Sequence, residues 1–380
     1  MKIVIIGTTS ASLLGFRKDL ILYLVKKKHN VFVLAIDLDS ETEKKLISLG
    51  AVPIKYDFSR TGLNPINDIN NTFKLSKIIK NISPEITLSY FSKPVIFGTI
   101  AAKLANVPRI IPMLEGLGYV HTKTKTGFNI KKRILQFIQG ILYSISFHLA
   151  DDIIFLNHDD PVDLSKSCYL PKRKVNILGG IGLNLTEYKY SKVKIKKNIK
   201  FIFIGRLLKE KGIFEFIEAC KIVKEKYPCS EFIVLGELDI NNPSSLSKKE
   251  LDELVNSNFI TYPGFVKNIH EWISSSHIFV LPSYREGFPR STQEAMAIGR
   301  AIITTNVPGC KETVINGYNG FIIPPFNSCE LSDRMIYFIE SPQEIIRMGN
   351  NSYNFAKENF NKDYVNPQIT KIIIGKKNLK

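Results

Sequence analysis

A chain of 380 residues is too long for one typical domain and fits two, and its 44% hydrophobic content suits full globular cores. The net charge of +17, from 52 Lys and Arg against 35 Asp and Glu, favours anionic partners: nucleic acid, acidic lipid or phosphorylated substrates. Five scattered cysteines (Cys168, Cys220, Cys229, Cys310 and Cys329) have neither C-x-x-C spacing nor nearby histidines, which argues against a disulfide framework or a zinc site. They read as free, mostly buried thiols in a reducing compartment, so the expected location is cytoplasmic. The apolar run at residues 3–6 is too short for a signal peptide, and no uninterrupted apolar span is long enough to cross a bilayer.

The chain opens on a buried parallel strand at residues 2–7, apolar on both faces, followed by a helix over 13–28 and a strand over 31–36. Further strands are predicted at 86–90, 109–112 and 153–156, with helices near 67–80, 95–105 and 130–149. Strands alternating with helices imply a doubly wound parallel sheet. Gly179-Gly180 breaks the rhythm, and the lysine-rich stretch after it (Lys189, Lys192, Lys194, Lys196, Lys197, Lys200) reads as a solvated basic linker over 186–199. The pattern then restarts with a strand at 201–205 and a helix over 213–226, whose Ile213, Phe216, Ile217, Cys220 and Val223 share one stripe. Strands at 232–236, 259–262, 278–281 and 301–304 and helices over 330–340 and 343–359 complete a second α/β domain. The expected division is 1–185, the linker 186–199, 200–360, and a C-terminal segment 361–380.

Ligands of open α/β sheets bind outside the carboxyl ends of the strands. The stretch Leu281-Pro282-Ser283-Tyr284-Arg285-Glu286-Gly287-Phe288-Pro289 is such an end, and a helix is predicted from about Ser291. Ser291 and Glu294 form an S-x-x-E pattern, so Glu294 is equally a capping-box acid, and Glu286 equally a solvated loop acid. Arg206 and Lys211 bracket the turn before helix 213–226, where cations oppose the helix dipole; a bound diphosphate would offset them, and two solvated surface cations are the alternative. Gly7-Thr8-Thr9-Ser10 ends the first strand with small residues that permit close approach of a phosphate or an acceptor, yet it is not G-x-G-x-x-G. Asp37-Leu38-Asp39 matches a metal-binding D-x-D only superficially, because it ends the second strand of a Rossmann-like unit.

Glu286 and Glu294 fit the E-x7-E pattern of the retaining family 4 glycosyltransferases, and other segments share the resemblance: 205–212 (GRLLKEKG), 262–266 (YPGFV), Pro308-Gly309 and Asn319-Gly320-Phe321. In the first half, 58–65 (FSRTGLNP) and Glu115-Gly116-Leu117-Gly118 resemble the subset that extends lipid-linked oligosaccharides, including bacterial N-acetylgalactosaminyltransferases. The resemblance implies the GT-B fold, two tandem Rossmann-like domains with an interdomain cleft, the last segment crossing back to the first domain. It implies a UDP-sugar as substrate, no cofactor and no metal.

By the same resemblance, Arg206 and Lys211 hold the donor diphosphate, Glu286 meets the donor sugar and Glu294 the ribose. Gly287, Phe288 and Pro289 present backbone to sugar and phosphate, and Gly264 and Phe265 to the base, although Gly264 is also an ordinary turn glycine. The acceptor side, a saccharide on polyprenyl diphosphate, is assigned Thr8, Thr9, Ser10, Arg17, Arg60, Asn64 and His121. For Asn64 a structural turn at Asn64-Pro65, and for His121 a solvated loop histidine, stand beside that assignment. The stripe Ile130, Ile134, Phe137, Ile138, Ile141, Leu142 and Ile145, with Lys131, Lys132 and Arg133 at its start, reads as a face for anionic lipid or as one packed on its own sheet. The lipid reading places the protein on the inner face of the membrane. No nucleic-acid module is recognisable. Two rivals share the fold: a sugar-nucleotide epimerase, which lacks both paired motifs, and a non-catalytic glycan- or nucleotide-binding relative, which loses donor residues.

Overall fold

The computed structural model describes residues 1–59, 64–123, 125, 127, 130–195, 198–240, 242 and 244–375. The chain forms two compact units. One comprises Met1–Val120, Asn129–Gly182 and Lys362–Lys380, the other His121–Phe128 and Leu183–Asn361.

The first unit is built on a parallel sheet of β1 (Lys2–Ile6), β2 (Asn30–Ala35), β3 (Val52–Lys55), β4 (Ile86–Tyr90), β5 (Arg109–Leu114), β6 (Ile153–Phe155) and β7 (Val175–Ile177), in the order β3-β2-β1-β4-β5-β6-β7. Its central strands are apolar on both faces because helices cover both, and Ile3, Val4, Ile5, Ile6, Leu88 and Ile111 are fully buried. The second unit repeats the plan with β8 (Lys200–Ile204), β9 (Glu231–Leu235), β10 (Thr261–Gly264), β11 (Ile278–Leu281), β12 (Ala301–Thr305) and β13 (Gly320–Ile323), in the order β10-β9-β8-β11-β12-β13. The strand order reverses between β1 and β4 in one sheet and between β8 and β11 in the other. These are the switch points at which such sheets open a crevice.

Several elements depart from expectation. The helix after β1 begins earlier, at Ser10, where Thr9 caps it, and passes through a π turn at Leu13–Arg17 before Lys18–Lys26. A second π turn, Pro94–Gly98, opens the helix after β4. The polar helix Ser40–Ser48, capped reciprocally by Asp39 and Thr42, has just two apolar residues, Leu46 and Ile47, to reveal it, and Pro53 and Asn176 break the apolar runs of β3 and β7; these elements and β13 are not among the predicted ones.

The expected solvated linker is instead packed on the second unit. Val193 is buried, Tyr190 donates to Asn350 at 2.6 Å, and the buried Arg300 guanidinium binds the Ser191, Ser276 and Ile298 carbonyls. His277 accepts from the Lys200 amide at 2.9 Å through Nδ1 and faces the Lys194 carbonyl at 3.2 Å through Nε2, which makes it a neutral, Nε2-protonated ring. Lysines dominate this stretch in sequence, but its few apolar and backbone groups decide where it lies.

The helix Lys362–Ile374 belongs to the first unit. Lys362 pairs with Asp19 at 3.0 Å, and Arg109 donates to the Ile372 and Ile373 carbonyls, both at 2.6 Å.

Candidate active site at the carboxyl ends of the second sheet

After β11 the chain turns through Pro282–Pro289 and enters the helix Arg290–Ile298. Three bonds stitch this turn in place: the Tyr284 amide to the Glu210 carbonyl, the Glu286 amide to the Pro308 carbonyl, and the Thr305 hydroxyl to the Ser283 carbonyl. Two glycines let neighbouring segments come this close. At Gly212 (φ +76°) a Cβ would collide with the Pro282 carbonyl, and at Gly309 (φ +81°) with that of Glu286.

Glu286 is no solvated loop acid. Its Oε1 accepts from Lys211 Nζ at 2.6 Å and from the fully buried Ser283 hydroxyl at 2.7 Å. Oε2 has no partner among the described residues, so one carboxylate oxygen is anchored and the other remains open. Lys211 ends a single 3-10 turn, Lys209–Lys211, just ahead of the helix Ile213–Lys226. The anion that offsets its clash with the helix dipole is therefore already present, as Glu286. Arg206, at the end of β8, is exposed, and its guanidinium has no partner among the described residues.

Glu294 shows the same one-oxygen pattern. Its Oε1 accepts from the Tyr188 hydroxyl at 2.7 Å and from Arg290 Nε at 3.0 Å, while Oε2 has no partner among the described residues. Burial raises its pKa, and Arg290 and Tyr188 oppose the shift. The capping box with Ser291, the alternative reading of Glu294, does not form. The helix starts one residue earlier with Pro289 as N-cap, and the Ser291 hydroxyl donates to the Ile204 carbonyl at 3.3 Å instead. With no side-chain cap, this helix end suits an anion's oxygens. Pro289 is buried, and Phe288 packs edge-on against Phe360 at 5.3 Å between centroids, which fixes the backbone of Gly287 and Phe288. Gly264 ends β10 at φ +78°, a turn that only glycine makes without strain, and leaves Phe265 73% exposed.

In the first unit, the space above Gly7 is filled by the chain itself. A Cβ there would strike the Tyr90 ring, and the Gly7 carbonyl accepts from Tyr56 at 2.7 Å. Thr9 caps the following helix, the Thr8 carbonyl accepts from Ile36, and the Ser10 amide donates to Asp37 at 2.6 Å. Asp37 and Asp39 are thus both engaged in local structure. Arg17 is 1% exposed, paired with Glu115 and seated 4.4 Å over the Tyr90 ring, so its charge is neutralised within the unit. Asn64 caps the helix Pro65–Ile82, accepting from Asn67 at 3.3 Å, as the structural-turn alternative expects. Arg60 lies outside the described residues. His121 is not a solvated loop histidine: it ends the 3-10 turn Tyr119–His121, is buried, and groups with the second unit.

Two family models match the chain: "Glycosyl transferase 4-like" over residues 2–157 and "Glycosyl transferases group 1" over 184–355. A Campylobacter jejuni relative, N,N'-diacetylbacillosaminyl-diphospho-undecaprenol alpha-1,3-N-acetylgalactosaminyltransferase, is 32% identical over 364 residues, 93% of each chain. The chain is a family 4 glycosyltransferase. Other relatives of this glycosyltransferase are the Staphylococcus aureus capsular polysaccharide biosynthesis glycosyltransferase CapM, 26% identical over 90% of this chain and 89% of that one, and an Escherichia coli UDP-Gal:alpha-D-GlcNAc-diphosphoundecaprenol alpha-1,3-galactosyltransferase, 27% identical over 68% and 67%. Anabaena HepE in complex with UDP superimposes at a TM-score of 0.76, with 18% identity and coverage of 98% and 99%, and shares the GT-B fold.

The glycosyltransferase's site has members that sequence motifs do not single out. Arg290 lies four residues before Glu294 on one helix, a spacing that brings side chains together, and Ser283 lies three before Glu286 in the same loop, so both were within reach of local reasoning. Tyr188 is 106 positions from Glu294, and only the fold brings them together.

Proposed function

We propose that the enzyme moves N-acetylgalactosamine, with retention, from UDP-N-acetylgalactosamine to a saccharide carried on a polyprenyl diphosphate, in the assembly of a bacterial surface polysaccharide or glycan. The end-to-end match to the Campylobacter relative carries the choice of sugar and acceptor. The chemistry rests on two cations and two half-open carboxylates around the switch point between β8 and β11. Arg206 and Lys211 take the charge that builds on the diphosphate as the anomeric carbon–oxygen bond breaks, acting as preorganised electrostatic stabilisers in place of a metal. Glu286 Oε2 faces the donor sugar and Glu294 Oε2 the ribose hydroxyls. Gly287, Phe288 and Pro289 offer backbone to the phosphates, and Gly264 and Phe265 border the base. The acceptor hydroxyl attacks from the face the diphosphate leaves, and its proton passes to a departing phosphate oxygen.

The acceptor's lipid anchor suits the helix Ile130–Leu149. Ile130, Ile134, Phe137, Ile138, Ile141 and Ile145 are all exposed, while the helix buries Gly140, Tyr143, Ser146 and Phe147 on its opposite side. Leu142, also of this stripe, is partly buried against the first unit's core, so the alternative of packing on the protein's own sheet holds for Leu142 and not for the six exposed residues. Exposed Lys131 and Arg133 flank it, and no helix among the described residues is long and apolar enough to cross a membrane. An apolar stripe edged with cations suits the surface of an anionic leaflet, here the inner face of the cytoplasmic membrane.

The test is UDP release from a panel of UDP-hexoses and UDP-N-acetylhexosamines, with bacterial membrane lipid extract as acceptor and EDTA present. Release from UDP-N-acetylgalactosamine, insensitive to EDTA and lost in Glu286→Ala and Lys211→Ala, is the expected result. Inhibition by EDTA, or preference for another sugar, overturns the corresponding part.

A further inference from the structure

Among the described residues, six that are not glycine have positive φ: Lys28, Ser83, Phe91, Asn106, Asn258 and Phe326. Lys28, Ser83, Asn106 and Asn258 sit at the ends of helices, where a left-handed residue is the ordinary way to stop. Phe326, in the turn before the helix Ser328–Glu340, and Phe91 do not. Phe91 follows β4 directly, at φ +68°, a conformation in which a bulky side chain is an outlier that the surroundings must hold.

Its position makes the strain informative. β4 adjoins β1 at the point where the first sheet's strand order reverses, and Phe91 leaves the carboxyl end of β4. Its ring is half-exposed and lies 4.9 Å from that of Tyr90. Phe16, 38% exposed, meets it edge-on at 6.5 Å from the π turn that follows β1. Beneath them Ser12 bonds the Tyr90 hydroxyl at 2.8 Å, and Arg17 sits over the Tyr90 ring with its charge cancelled by Glu115. Among the described residues, the crevice thus combines two partly exposed aromatic rings with the neutralised Arg17–Glu115 ion pair. An anion gains little in such a place. A neutral ring with an apolar face and a hydroxylated rim fits it: the C–H face packs on the phenyl rings, and the rim hydrogen-bonds polar groups.

We infer that Phe91 and Phe16 form the platform on which the acceptor's terminal sugar ring stacks, and that the strained backbone at Phe91 is retained to aim its ring. This rests on the transferase reading above and adds to it which residues select the acceptor. It also shifts the acceptor site from Thr8, Thr9 and Ser10, whose bonds are local, to the aromatic pair beside them.

Phe91→Gly is the informative variant, because glycine adopts the left-handed conformation without strain, so removing the ring relieves the backbone. With saturating UDP-sugar, membrane lipid extract is titrated and UDP release measured. The extract concentration for half-maximal rate is expected to rise about two- to tenfold, the range of an aromatic contact's worth. The donor concentration for half-maximal rate and the melting temperature are expected not to worsen. Phe91→Tyr should restore the acceptor response, and Phe16→Ala should weaken it without entering the strained backbone, which decides the matter should Phe91→Gly fold poorly. An unchanged acceptor response in Phe91→Gly or Phe16→Ala, with wild type active, overturns the platform alone. Absence of extract-dependent release from the wild type overturns the transferase reading and the platform with it.

Discussion

Neutralising Glu286 should tighten UDP binding while it slows transfer. In the free enzyme Lys211 Nζ lies 2.6 Å from Glu286 Oε1, and the two side chains are 24% and 12% exposed. A diphosphate arriving at Lys211 must either displace this carboxylate or share the cation with it, and the carboxylate repels the phosphates in both cases. A hydrogen bond to a charged group is worth ~1.5–3 kcal/mol. The partial exposure places this one at the lower end, and the glutamine amide oxygen keeps part of the contact. The net gain on Glu286→Gln is then about 1 kcal/mol, close to fivefold in affinity. Transfer should fall about a hundredfold, because the carboxylate charge beside the developing positive sugar ring is gone. Calorimetric titration with UDP and the UDP-release assay measure the two effects separately. UDP binding that is unchanged or weaker in Glu286→Gln would refute the idea that this ion pair competes with the diphosphate.

Lys211→Ala should lower the transfer rate by about 10²–10³, the cost of losing one preorganised electrostatic group, with the far-ultraviolet circular dichroism unchanged. Tyr188→Phe strips one of two donors from the buried Glu294 Oε1 and should cost about 1.5 kcal/mol, or some 3–6 °C in a melting experiment. Burial holds the His277 pKa below its usual value. Between that lowered value and about 6.5 the unfolded chain binds the extra proton, so stability is full above about pH 6.5 and falls as the pH drops through this window. His29 is lowered too, so the melting temperatures of wild type and His277→Asn must be compared across pH 8 to 5, where the variant should show the smaller fall. Phe137→Asp and Ile141→Asp, on the exposed stripe, should each weaken sedimentation with phosphatidylglycerol vesicles about fivefold, from ~1 kcal/mol of lost apolar burial. Equal binding by both variants would remove the stripe from the membrane contact.

The two-unit α/β plan was legible in the chain because buried parallel strands read as unbroken apolar runs. The strand 86–90 and the helices 130–149 and 213–226 were placed to the residue. The helix Ser40–Ser48, with Leu46 and Ile47 its two apolar residues, and the short strand β7, interrupted by Asn176, left no comparable signal. The second-unit motifs were legible for a similar reason. Gly212 and Gly309 stand where backbone approaches backbone too closely for any Cβ, so the requirement is written in the residue type itself.

What the sequence could not settle is which charges cancel which. Arg17 and Glu115 are 98 positions apart, Lys211 and Glu286 75, and Tyr188 and Glu294 106. Residue types identify all six as polar or charged, but only the folded chain decides that Arg17 is spent inside the unit while Arg206 stays open. The exposed stripe makes the same point. Its 3.6-residue periodicity in the sequence declares an apolar helix face, yet periodicity is identical whether that face meets a sheet or a solvent. The direction is set by tertiary packing, where Gly140 lies so close to Ser167 that a Cβ would meet its carbonyl, and Tyr143 and Phe147 fill the core, turning the stripe outward.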